Sequence, residues 1–172
     1  MLAAHYDLAD IAETLLTDGA DPNIKIYGYY NEKINALTLA ASLGHKEVFA
    51  VLVGNGADIT EAFHAAVSAS HADIAADLLD KGANIDDQGK GTGNTTALME
   101  ATYFGYDEVF NLLIEKGANM NLQCKEGNTA LMYSLFIIDY SGSNKLDSCF
   151  ITLLEHGADV GIKNLDGKTI VL

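Results

Sequence analysis

The side chains able to do chemistry in this sequence are few and scattered. His5, His45, His64, His71 and His156 include no pair at i, i+4, and Cys124 and Cys149 form no recurring paired spacing, so no metal site is expected. Ser134 and Cys149 are possible nucleophiles, but each sits on a helix position needed for packing, without a spaced base or an oxyanion turn. Asp86-Asp87-Gln88-Gly89-Lys90-Gly91-Thr92-Gly93-Asn94 imitates a phosphate loop. It lacks both the glycine-lysine-serine/threonine ending and a preceding buried strand. Asp86 and Asp87 without further spaced carboxylates are too sparse for an EF-hand loop. The expectation is a chain with no catalytic residues, no metal and no cofactor.

Charge narrows the partners. Twenty-four acidic residues face ten basic ones, all lysine, for a net charge of −14. With no arginine and this negative balance, the chain is a poor ligand for nucleic-acid phosphates or acidic membranes, whereas a basic protein would be drawn to it. The 172 residues suit one domain, 49% of them are hydrophobic, and Pro22 is the single proline. No apolar run reaches membrane-span length, and no signal-like segment opens the chain. Two cysteines fit reduced structural thiols better than a disulfide framework, which makes an intracellular, cytoplasmic setting the default, or a host cytosol for a secreted effector.

The elements are clearest from Thr95 to Asn121. Leu98 and Ala101 give a first short helix a narrow apolar stripe, and Gly105 breaks it. Asp107 and Glu108 suit the positive end of a second helix carrying Val109, Leu112, Leu113 and Ile114, which Gly117 stops. So small a pair cannot bury its own apolar face and must stack on copies of itself. Gly-Ala followed by Asp or Asn recurs at Gly19, Gly56, Gly82, Gly117 and Gly157, in steps of 37, 26, 35 and 40.

This pattern resembles the ankyrin repeat family. The opening motif stands as Asn35-Ala36-Leu37-Thr38-Leu39-Ala40-Ala41, Thr96-Ala97-Leu98-Met99-Glu100-Ala101 and Thr129-Ala130-Leu131-Met132, with alanine where the family has proline. Only His64, in Ala62-Phe63-His64-Ala65-Ala66, keeps the family's histidine. The resemblance implies an all-α fold: an ankyrin-repeat solenoid of stacked helix-turn-helix units with projecting hairpins. Its repeats would be 1–24, 25–58, 59–86, 87–121 and 122–161, with a partial one at 162–172, in one domain. His45, His64, His71 and Gly105 take structural turn roles.

Four connectors depart from the family spacing, one of them the Asp86–Asn94 stretch, expected to be a hairpin with a flexible tip two residues over the family length. The hairpin around Gly28 carries four residues more than the family spacing and holds Tyr27, Tyr29 and Tyr30, which either shield the first repeat or touch a partner. Asp58-Ile59-Thr60 replaces a hairpin altogether, leaving a notch. A seven-residue insertion lies between Leu135 and Leu146 and is expected to lengthen the first helix and form an exposed loop. The chain begins and stops inside a repeat, and the expectation is a fragment of a longer array.

In this family the concave surface, made of hairpin tips and first-helix ends, commonly binds proteins. The two positions after the Ala-Ala pair are usually solvent-facing, and they read His5-Tyr6, Ser42-Leu43, Ser68-Ala69, Tyr103-Phe104 and Phe136-Ile137, an apolar row. Candidate partner contacts are therefore Leu43, Tyr103, Phe104, Phe136 and Ile137, the hairpin residues Tyr27, Tyr29 and Tyr30, and the tips Lys125 and Leu165. The alternative for Phe104 and Phe136 is that they tuck between repeats. The expected function is a protein-binding scaffold, monomeric or weakly self-associating. A different class remains open, a structural or self-associating segment of a larger enzyme or effector. Leu15 followed by Asp21-Pro22-Asn23 also resembles the substrate pattern of asparagine hydroxylases that accept ankyrin domains.

Overall fold

The computed structural model describes residues 1–27, 33–89, 93–141 and 148–170, with side chains except at 136–141. The described residues form short helices in pairs, divided into two compact units, Met1–Ala83 and Asn84–Leu172. The first unit holds α1 (Leu2–His5), α2 (Ala9–Thr17), α3 (Ala36–Leu43), α4 (Lys46–Gly54), α5 (Ala62–Ser68) and α6 (Ala72–Asp80). A two-stranded antiparallel hairpin, β1 (Ile26–Tyr27) with β2 (Lys33–Ile34), precedes α3 and pairs Ile26 with Ile34. The second unit holds α7 (Ala97–Phe104), α8 (Asp107–Glu115), α9 (Ala130–Ser141) and α10 (Ser148–Glu155). None of the described helices is long and apolar enough to cross a membrane.

Three of the first helices, α3, α7 and α9, are started by a buried polar side chain that bonds to the helix's own first turn. Asn35 Oδ1 accepts from Thr38 N at 2.8 Å, Thr96 Oγ1 from Met99 N at 3.3 Å and Thr129 Oγ1 from Met132 N at 3.4 Å. These otherwise orphaned N–H groups explain why an oxygen-bearing side chain stands ahead of every Ala-Leu pair. Gly44 and Gly105 end α3 and α7 in the left-handed region, at φ 74° and 69°. Asp7 and Ser70 hold the same position ahead of α2 and α6 at φ 54° and 60°, a conformation costly for a residue with a Cβ.

After each second helix the chain turns in one repeated way. Asp21, Asp58, Asn84, Asn119 and Asp159 each accept, at 2.8–3.1 Å, from the backbone N–H two residues on. An Asx turn accounts for the Asp or Asn that always follows Gly-Ala. Two residues further, Asn23 in the first unit accepts from Asp58 N at 2.7 Å, and Asp86 and Asn121 in the second accept from Asn119 N and Asp159 N at 2.8 Å. One side chain thereby fixes the position of the next turn.

Stacking follows the same logic. In the first unit α1 packs on α3, α3 on α5, and α2 on α4; in the second α7 packs on α9. Leu37, Val48, Phe49, Phe63, Ile74 and Leu78 fill the first core, and Leu98, Val109, Phe110, Leu113, Leu131 and Leu153 the second. His45 Nδ1 lies 2.8 Å from Ala4 O, and the ring of His71 lies against Gly44, so both histidines join one turn to the previous one. α9 runs twelve residues against eight in α3 and α7, as the insertion requires. The hairpin at Asn164–Lys168 repeats the one at Cys124–Asn128, and no helix follows it among the described residues.

Candidate functional site: an aromatic patch on the second unit

Four aromatic rings meet at the end of α7. The chain leaves that helix through Tyr103, Phe104, Gly105 and Tyr106, and the left-handed turn at Gly105 brings Tyr106, the residue ahead of α8, back beside Phe104. The Phe104 and Tyr106 rings stack, with centroids 5.5 Å apart and 18° between planes. Tyr103 meets Phe104 edge-on at 5.0 Å and Tyr133 of α9 edge-on at 5.8 Å. Tyr103 is 45% exposed and Phe104 57%, so both present ring surface to solvent. Phe104 does not tuck inward.

Tyr133 anchors the patch from below. Its hydroxyl donates to Cys124 Sγ at 3.5 Å, and Cys124 Sγ donates to Glu126 Oε2 at 3.1 Å. Burial first, then the bond to Cys124 and the negative charge nearby, push its phenol well above the usual tyrosine range. It therefore remains a neutral donor, which ties α9 to the Cys124–Asn128 hairpin. That hairpin is fastened on both sides: Lys125 N donates to Gly93 O at 2.9 Å, and Leu165 N donates to Glu126 O at 3.0 Å. Gly127 is required where the second bond forms, because a Cβ there would lie 2.8 Å from Leu165 N and φ is already 79°.

The remaining candidates are placed as follows. Lys125 and Leu165 are exposed on neighbouring hairpin tips of the second unit, and Leu43 is exposed at the end of α3 in the first. Tyr27 is exposed on β1, with Lys33 Nζ 5.5 Å from its ring centroid. Tyr29 and Tyr30 lie outside the described residues, as do the side chains of Phe136 and Ile137. His64 is half-buried in α5, edge-on to Phe63 at 5.9 Å. Tyr106 and Tyr133 were missed by sequence reasoning. Tyr106 stands where His45 and His71 make turns, and Tyr133 takes the place of Glu100 in the repeat, a substitution that was the available signal.

Ser134 is buried and donates to Leu131 O at 2.7 Å, and Cys149 is buried in α10. Among the described residues no group of His, Cys, Asp and Glu is arranged to hold a metal.

Comparison with known proteins gives one answer. The family described as ankyrin repeats, three copies, matches residues 1–89 and 63–164. An ankyrin repeat protein of Rickettsia felis is 37% identical over 92 residues, 52% of this chain and 40% of that protein. The E3 ubiquitin-protein ligase KEG of Arabidopsis thaliana is 29% identical over 149 residues, 78% of this chain and 9% of that protein. Human ankyrin repeat and KH domain-containing protein 1 is 34% identical over 101 residues, 55% of this chain and 4% of that protein. The chain thus spans well under half the length of these relatives. The ankyrin repeat domain of human ASB11 superimposes with a TM-score of 0.78 at 23% identity, covering 97% of this chain and 72% of that one.

Proposed function

Since this chain belongs to the ankyrin repeat family, whose repeats are generally protein-interaction modules, we propose that it is a scaffold holding a partner protein on the face of first-helix ends and hairpin tips. The observation that carries this reading is the ring cluster of Tyr103, Phe104, Tyr106 and Tyr133. Aromatic side chains offer about 150–250 Å² each, and rings already packed on one another lose little entropy on contact. The net charge of −14 favours a partner with basic residues around its apolar anchor. Buried thiols at Cys124 and Cys149 suit a reducing, intracellular compartment.

The test is affinity capture followed by a binding measurement on the captured partner. A central aromatic contributes about 2 kcal/mol or more, roughly thirtyfold in affinity, so Tyr103→Ala with Phe104→Ala should abolish capture. Circular dichroism should be unchanged, because both rings are exposed. Wild-type affinity in the double variant would reject this surface, and affinity insensitive to salt would reject the basic partner.

A further inference from the structure

Phe104, at 57%, is the most exposed ring of the aromatic cluster. It is stacked on Tyr106 with 18° between the planes, so the two rings make a flat platform. The face of an aromatic ring carries the negative part of its quadrupole, and it attracts cations as well as apolar groups. Among the described residues the chain makes such a contact itself: in the first unit the Lys33 ammonium lies 5.5 Å from the centroid of the exposed Tyr27 ring.

The ground around the platform is acidic. Residues 97–115, which make α7, α8 and the turn between them, hold Glu100, Asp107, Glu108 and Glu115 and no lysine. Asp107 and Glu108 are exposed and open α8 directly after Tyr106, while Lys116 stands at the far end of that helix. On the α9 side of the cluster, the Tyr133 hydroxyl rests on Cys124 Sγ, which donates to Glu126 Oε2 at 3.1 Å. Carboxylates beside a ring face add to its pull on a cation and repel an acidic side chain.

On the scaffold reading, and depending on it, we infer that the partner sets an arginine on this platform: the guanidinium lies flat on the outer face of Phe104 and extends the Phe104–Tyr106 stack, while an apolar neighbour in the partner covers Tyr103. Arginine suits the platform better than lysine. Its guanidinium is planar and weakly hydrated, and it stacks face to face with its N–H edges left for carboxylates or water, whereas an ammonium is a strongly hydrated point charge. The occupant is thus a short apolar segment with an arginine in it.

The probes are two synthetic peptides, acetyl-Leu-Arg-Leu-amide and the same peptide with citrulline, which keeps the shape of arginine and lacks its charge. Each is titrated against the full chain and followed by the NMR signals of the aromatic side chains. The arginine peptide should shift the Tyr103 and Phe104 signals and bind roughly twofold to fivefold tighter than the citrulline peptide. Phe104→Leu keeps the net charge and an apolar side chain but removes the ring face. Followed at Tyr103, the preference for arginine should shrink there by roughly twofold or more, and Phe104→Tyr should keep it. Helical circular dichroism should be unchanged in both variants, because the ring is exposed. No shift at either ring, or a preference that Phe104→Leu leaves intact, would overturn the inference. So would equal affinity for the two peptides, since the occupant would then be an apolar side chain. Those outcomes leave the scaffold reading standing as long as Tyr103→Ala with Phe104→Ala abolishes capture; capture at wild-type affinity by that double variant removes the reading and the arginine with it.

Discussion

Ala9–Thr17 and Ala72–Asp80 are nearly the same peptide in two settings. Both fold as nine-residue helices, yet Ile74 is 1% and Leu78 0% exposed where Ile11 and Leu15 are half exposed. Helix formation is therefore a local property, written in spacing and turn residues, and burial is a property of the neighbour. A stacked repeat contributes half of an interface and depends on the next repeat for the other half.

The largest effect that tests this contrast is a cavity. Leu78→Ala should cost about 2–5 kcal/mol, whereas Leu15→Ala should cost about 1 kcal/mol or less, both read from urea denaturation. Equal losses would break the comparison and mean that the α2 face is covered in solution. Next is the turn that launches each helix. Ser70→Gly relieves a left-handed residue and should stabilise by about 0.5–1 kcal/mol, a rise of a few degrees in Tm. Asp7→Gly should gain less, because Asp7 Oδ1 accepts from Val48 N at 3.3 Å and that bond is lost. The smallest is electrostatic. The Lys46–Asp73 pair is solvent-exposed, so a double-mutant cycle should return about 0.2–1 kcal/mol, shrinking in high salt, while Asp10→Asn should leave stability unchanged.

Much of this was legible in the sequence. Glycine spacing marked the turns at Gly19, Gly56, Gly82, Gly117 and Gly157, and helical periodicity put Val48, Leu52, Val109 and Leu113 on buried stripes, because those signals arise within one turn of chain. Tyr103 and Phe104 were legible too, as large rings at positions the fold leaves open. The contacts that gather them into one ring cluster were not. Tyr106 reaches Phe104 only through the geometry of Gly105, and Tyr133 reaches Tyr103 only because α7 packs on α9, a contact between residues thirty positions apart. The spacing of Ile11 and Leu15 matches that of buried siblings, so that spacing by itself does not mark the two as exposed. Side-chain links such as Asn23 to Asp58 carry no periodic signal beyond the Asp or Asn of each turn.

Cys149 occupies the position that Val48, Ile74 and Val109 hold in other repeats, and it is buried at 1%. A thiol reagent can reach that sulfur only when α10 lifts away, so its modification rate measures how often the last helical pair opens. The protein thus carries its own reporter of local breathing, readable by mass spectrometry without any introduced label.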